Sequence, residues 1–143
     1  MAVNLELVER KISLILQDLE NLRDLEKLDL SDYLADFKNE ILAERFIERI
    51  IGRMIDINYH LSSEQTLSTP TDYHESFIQL GKLSILENED AARFAKLAGL
   101  RNRLSHEYNG IDEAIIHQAV KELVAELPTY LEAIRNFVNR QQS

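Results

Sequence analysis

The chain has 143 residues, 45% apolar and 29% charged, with four Gly, two Pro and no Cys. That length suits one domain with a single core, and the missing Cys excludes a disulfide scaffold, a thiolate metal site and a cysteine nucleophile. A formal net charge of -9 argues against non-specific coating of DNA or of an anionic membrane.

Apolar residues at Leu5, Val8, Ile12, Ile15, Leu19 and Leu22 recur every three or four positions, which predicts a first amphipathic helix. Its opening, MAVNLELVERKISLILQDLE, lacks the basic start and small-residue cleavage site of a signal peptide. No stretch of the chain approaches the ~20 apolar residues of a membrane span, so a cytoplasmic protein is expected. Asp29 and Ser31 then offer capping side chains before a long second helix over about Tyr33 to Leu61. Leu42, Phe46, Ile50, Met54, Ile57 and Leu61 form one apolar stripe along it, and Ile47, Ile51 and Ile55 a neighbouring one. So wide an apolar surface is expected to pack on two sides, one against its own core and one against a partner. The first two helices read as a long αα-hairpin.

Ser62 to Thr71, SSEQTLSTPT, reads as a loop. Asp72, with Glu75 three residues on, starts a third helix of capping-box type that Gly81 can end. A fourth begins near Asn88, carries Phe94, Leu97, Leu100 and Leu104, and stops at Asn109-Gly110. Asp112 caps a fifth, with Ile116, Val120, Leu123 and Leu127 on one face. Pro128 removes a backbone donor and crowds the preceding turn, so a kink or break is expected there. Leu131, Ile134 and Val138 then resume the pattern. About five helices with short connections predict an all-α, up-and-down bundle, a single domain over 1–143.

Three polar features are unusual for a plain bundle. The first is Gly99-Leu-Arg-Asn-Arg-Leu-Ser-His-Glu-Tyr108, which crowds Arg101, Asn102, Arg103, Ser105, His106 and Tyr108 into one helix end. Arg carries a permanently charged fork suited to phosphate, and His exchanges a proton near neutral pH. Together they are a minimal set for cleaving RNA without a metal. A base takes the ribose 2′-hydroxyl proton while a cation stabilises the charge on phosphorus, and a 2′,3′-cyclic phosphate results. DNA lacks that hydroxyl and cannot react this way. The plainer alternative is that Arg and His complement the dipole of a helix C-terminus.

The second feature is Arg49, Arg53, Asp56 and His60, which share one face of the second helix. They either line a cleft or form a solvated face on which Arg53 and Asp56 pair. The third is the remaining His residues. His74 and His117 have no partner at metal-ligand spacing and are expected on the surface, whereas Asp56 lies one turn before His60 and can orient its ring. There is no H-E-x-x-H, EF-hand, P-loop or dinucleotide fingerprint, and the scattered carboxylates give little support to a di-metal bundle. No metal or cofactor is expected.

The octet Arg101-Asn-Arg-Leu-Ser-His106-Glu-Tyr108 resembles the R-x-x-x-x-H-x-Y signature of the HepT-like branch of the HEPN family. The segments Met54-Ile-Asp-Ile-Asn-Tyr-His60, Tyr73-His-Glu-Ser-Phe77 and Gly99 to Asn102 are similar to that branch as well, so the resemblance spans about Leu5 to Val138. It implies a dimerising helical bundle and a metal-independent endoribonuclease toxin acting on transfer or messenger RNA. It also implies a minimal nucleotidyltransferase (MNT) antitoxin that silences the toxin by moving AMP from ATP onto the motif Tyr. Position by position, Arg101 and His106 match the catalytic pair, and Tyr108 matches the modified residue. Asn102 matches the polar position beside the Arg, and Asp56 an acidic position. An adenylyl group on Tyr108 would add a phosphodiester charge beside Arg101 and fill the pocket. A reading from another class keeps only Tyr108 in use: a non-catalytic helical module that binds the nucleotidyltransferase and is modified by it. A third is an inert dimeric scaffold.

On an ideal helix Arg101 and Tyr108 share a face, whereas His106 points about 140° away from Arg101. Asn102 and His106 are neighbours one turn apart. Arg101 and His106 therefore need either a distorted last turn or a second copy of the chain. The second option predicts a homodimer with a composite site near its two-fold axis.

Overall fold

A computed structural model describes residues 3–65, 68–106 and 110–141. They form six helices: α1 (Leu5–Glu26), α2 (Leu30–Ala35), α3 (Phe37–Gln65), α4 (Tyr73–Lys82), α5 (Asn88–His106) and α6 (Glu113–Gln141). There is no strand among the described residues, and no helix of theirs is long and apolar enough to cross a membrane.

The bundle has one helix more than expected, because the long second helix is divided at Asp36. Asp29 caps α2 by accepting the Asp32 N–H at 2.8 Å. Asp36 then turns extended (φ -131, ψ 112), and its carboxylate accepts the Lys38 N–H at 3.0 Å. A short acidic side chain bonding to nearby backbone competes with helix continuation. The apolar periodicity carries no trace of that break.

α3 is the hub and packs against every other helix. Ile47, Ile50, Ile51, Met54, Ile57 and Leu61 are all fully buried, with α1 and α6 on one side and α4 and α5 on the other. Both apolar stripes are thus absorbed by the chain's own core, and the expected partner-facing side is not left over along most of α3. Only its first turns stay bare, with Phe37 64% and Ile41 58% exposed. The burial of Leu61 and Ser62 also carries α3 to Gln65, into the predicted loop.

Pro128 does not break α6, which runs from Glu113 to Gln141 with Pro128 inside it. The proline is exposed, while Leu123, Leu127, Leu131 and Ile134 bury the opposite face on both sides of it. Packing on that scale outweighs the cost of ~3 kcal/mol for an interior proline. Asp72 caps α4 as expected, accepting the Glu75 N–H at 2.8 Å. Gly81 serves contact rather than termination: a Cβ there would lie 2.7 Å from Asn88 Oδ1 and 3.0 Å from Ala91 Cβ, so α4 and α5 approach closely because it has none.

Two buried polar groups brace the core. The Tyr130 hydroxyl on α6 lies 2.6 Å from Asn58 Oδ1 and 3.1 Å from the Met54 carbonyl, both on α3. Asn58 Nδ2 donates to Ser76 Oγ at 3.2 Å, and Ser76 donates in turn to the Tyr73 carbonyl at 2.7 Å on α4. His117, expected on the surface, is instead buried. Its Nε2 lies 2.8 Å from the Leu28 carbonyl, and its ring packs 5.0 Å from that of Tyr33. The position falls on the same buried stripe as Ile116 and Val120.

Candidate functional site

The motif occupies the last two turns of α5, which stays α-helical to His106. No distortion of that turn brings Arg101 and His106 together, and no hydrogen bond joins them among the described residues. Arg101 is half-buried and His106 and Asn102 are exposed. Tyr108, the expected site of modification, lies outside the described residues, as does Asn109 of the predicted stop.

Arg101 is held by an aromatic wall. Its guanidinium carbon sits 5.3 Å from the centre of the Tyr73 ring, which meets the Tyr59 ring edge-on at 6.3 Å. Its Nε is buried without a hydrogen-bond partner, and no ion pair to it is formed among the described residues. A guanidinium seated this way keeps its charge available to an incoming anion.

Ser105 faces α3, not solvent. Its hydroxyl donates to Glu48 Oε2 at 2.7 Å, and Arg45 contacts the other oxygen at 3.0 Å. The Ser105 hydrogen bond first, then the Arg45 contact and the Arg101 charge, hold the Glu48 carboxyl below the usual range against the opposing effect of its burial. Glu48 therefore stays ionised and ties the α5 end to the middle of α3.

The polar face of α3 does line a cleft. Arg101, Asp56, Arg49 and Arg53 border a depression of about 330 Å³ together with Lys11 of α1 and Arg45. The expected Arg53–Asp56 pair is not formed. Arg53 reaches Asp18 on α1 at 2.7 Å and the Leu14 carbonyl at 3.3 Å, and Arg49 shares the same Asp18 oxygen at 3.1 Å. Asp56 is bound instead by Lys11 at 2.8 Å. Nor does Asp56 orient His60, whose Nε2 accepts the Asn4 N–H at 2.9 Å. His60 thus helps fasten the start of α1.

Asp56 and Arg101 therefore share a cleft; Asn102 and His106 are not among its lining residues. Among the described residues no group of three or more His, Cys, Asp or Glu is placed to hold a metal ion. A larger, mainly apolar groove of about 880 Å³ runs along the other flank of α5, between Leu97, Leu100 and Arg103 and the α6 residues Ile115, Ala119 and Leu123. The smaller cleft is the better candidate for chemistry, since it contains Arg101 and most of the nearby charge.

Sequence reasoning missed Glu48, Asp18, Lys11 and Arg45. Two of them left a signal. Arg45 extends the Arg49–Arg53 spacing by one turn, and Asp18 interrupts the apolar stripe Ile15–Leu19–Leu22 at a position that must be buried and therefore paired.

Residues 15–134 match the ribonuclease HepT-like family. The chain is 35% identical over 132 residues to the tRNA nuclease HepT of Aphanizomenon flos-aquae, covering 92% of this chain and 90% of that protein. It is 23% identical over 107 residues to the mRNA nuclease HepT of Shewanella oneidensis, covering 75% of this chain and 80% of that one. Among solved structures it superposes with a TM-score of 0.82 and 22% identity on a tri-AMPylated Shewanella oneidensis HEPN toxin in complex with an MNT antitoxin, over 91% of this chain and 97% of that one.

Proposed function

The chain belongs to the ribonuclease HepT-like family, and from that premise we propose that it is a metal-independent endoribonuclease toxin. His106 takes the proton of a ribose 2′-hydroxyl, and the 2′-oxygen bonds to phosphorus. The 5′-oxygen then leaves with a proton from water, so that one strand ends in a 2′,3′-cyclic phosphate and the other in a 5′-hydroxyl. Arg101 clamps the phosphate and offsets the charge gathering on it. The observation that carries this reading is the state of Arg101: a half-buried cation fixed on Tyr73 with its Nε unpartnered, an arrangement that fits an awaited anion better than helix capping.

Because α5 is helical through both residues, Arg101 and His106 of one chain diverge, and their cooperation calls for a second copy. The apolar groove beside the motif, bordered by Leu97, Leu100 and Ile115, offers that copy a docking face. In the resulting homodimer Arg101 of one protomer serves His106 of the other. Asn102, one turn from His106, contacts the substrate, and Asp56 shapes the cleft through Lys11.

The partner that restrains the toxin is a nucleotidyltransferase of MNT type, which transfers AMP from ATP to the Tyr108 hydroxyl with loss of pyrophosphate. The added phosphodiester would neutralise Arg101 and occlude its pocket. The toxin would act in the cytoplasm, on transfer RNA or messenger RNA.

The test is cleavage by purified chain, shown by mass spectrometry to carry no AMP, in the presence of EDTA with His106→Ala as control. Cleavage by the unchanged protein alone, leaving cyclic-phosphate ends, is the expected result. Failure to cleave any transfer or messenger RNA would overturn the nuclease reading and favour the non-catalytic module.

A further inference from the structure

The cleft in front of Arg101 has a charge surplus that its internal pairs do not consume. Five cations surround it, Lys11, Arg45, Arg49, Arg53 and Arg101, against three carboxylates. Lys11 is matched with Asp56, and Arg45 with Glu48. Arg49 and Arg53 share one oxygen of Asp18, a side chain only 4% exposed. Asp18 thus pins two guanidinium groups with a single negative charge. Arg101 adds a further cation with no ion pair among the described residues. In a protein of net charge -9, a local positive surplus of this kind favours selective capture of an anion over general coating of a polyanion.

Gly52 is the second observation. It lies in the middle of α3, where glycine is unfavourable relative to alanine. Neither a left-handed backbone nor close packing accounts for it: a Cβ there would meet nothing within 4 Å. Gly52 lines the cleft, one turn from Glu48 and beside Arg49 and Arg53. A glycine facing open space between arginines leaves the helix backbone accessible to a ligand that comes close.

On the reading that the chain cleaves RNA, we propose that the Arg45–Arg49–Arg53 row of α3, with Gly52 open between its last two members, is a phosphate track for single-stranded RNA. It would hold the backbone adjacent to the bond presented to Arg101. At 1.5 Å rise per residue the row spans about 12 Å, longer than one phosphate needs. Arg45 and Arg49, 66% and 38% exposed, are the groups that meet phosphate, and Asp18 is the positioning residue that aims Arg49. Such contacts carry no base specificity; they set register and add salt-dependent affinity.

The test measures binding of a fluorescent single-stranded RNA, over a range of salt concentration, to full-length His106→Ala protein, which keeps the track but not the chemistry. Arg45→Gln with Arg49→Gln is expected to weaken binding about tenfold or more. It should also flatten the slope of log affinity against log salt by about 1.4, that is ~0.7 for each lost contact to a single strand. Gly52→Leu removes no charge and favours the helix, so it is expected to raise the melting temperature while weakening RNA binding, a combination that a merely structural glycine would not produce. Unchanged affinity and slope in both variants, with tight binding by the His106→Ala parent, would overturn the track and leave the nuclease reading standing. If both variants bind RNA normally but lose the nucleotidyltransferase, the cleft is a protein-docking surface and the track is likewise overturned. No RNA binding by the parent would overturn the nuclease reading and the track together.

Discussion

α3 carries two polar assemblies that are finished to different degrees. Toward α4 and α6, Tyr130, Asn58 and Ser76 form a buried chain in which each member finds a partner. Toward α1 and α5, Asp18, Glu48 and Asp56 are outnumbered by the cations around them, and the cleft lies open. Buried polar groups are costly unless satisfied, so the first assembly specifies how three helices meet. The second spends only part of its charge on the fold. Surplus cation in a cleft, rather than polarity as such, separates a candidate site from a brace.

That contrast can be broken from either side. The largest effect is expected from His106→Ala, which should lower RNA cleavage by at least ~10²–10⁴-fold, the usual share of a general acid or base. Because His106 is exposed, the melting temperature should stay as it was; a coincident loss of fold would show that the residue is structural. Tyr130→Phe attacks the brace, leaving Asn58 Oδ1 and the Met54 carbonyl short of a donor. Denaturant titration is expected to show a loss of about 1–3 kcal/mol, with turnover unchanged under conditions where the protein stays folded.

Glu48→Ala removes the tie between Ser105 and α3. Cleavage should fall by roughly tenfold, the scale of losing one positioning hydrogen bond, with stability altered by less than ~1 kcal/mol. Unchanged turnover would mean that Ser105 holds the motif without that carboxylate. The smallest effect concerns Glu44, which meets Glu113 and does not line the cleft. Burial first, then a hydrogen bond to Glu113, push the Glu44 carboxyl up to about 7 from 4.5. An acid raised in the folded state binds its proton more tightly there than when unfolded. Its contribution to stability is therefore present at low pH and is lost as pH rises from ~4.5 through 7. Glu44→Gln should flatten that part of the stability–pH curve, measured by thermal melts at constant ionic strength.

Local features of the molecule were legible in the chain. The Asp72 cap, the start of α5 near Asn88 and the amphipathic stripe of α1 all follow from neighbours a turn or so apart. The Arg101–Tyr108 octet is legible for the same reason. What was illegible depends on tertiary contact. Asp18 lies 35 positions from Arg53, and Glu48 57 from Ser105, distances at which periodicity says nothing. The break expected at Pro128 is absent because its cost is local while the packing that keeps α6 continuous is not. His117 misled because its ring type argued for solvent while its place beside Ile116 argued for the core. The break at Asp36 escaped because one capping carboxylate leaves the apolar pattern intact on either side.

The most direct test of the account is complementation. Arg101→Ala and His106→Ala chains, each inactive alone, are unfolded, mixed in equal amounts and refolded, and RNA cleavage is followed in EDTA. A site shared between two copies predicts recovered cleavage, since in a mixed dimer one of the two sites keeps both an intact Arg101 and an intact His106. A silent mixture, beside active unchanged protein treated the same way, would contradict the shared site and place Arg101 and His106 at work within one chain.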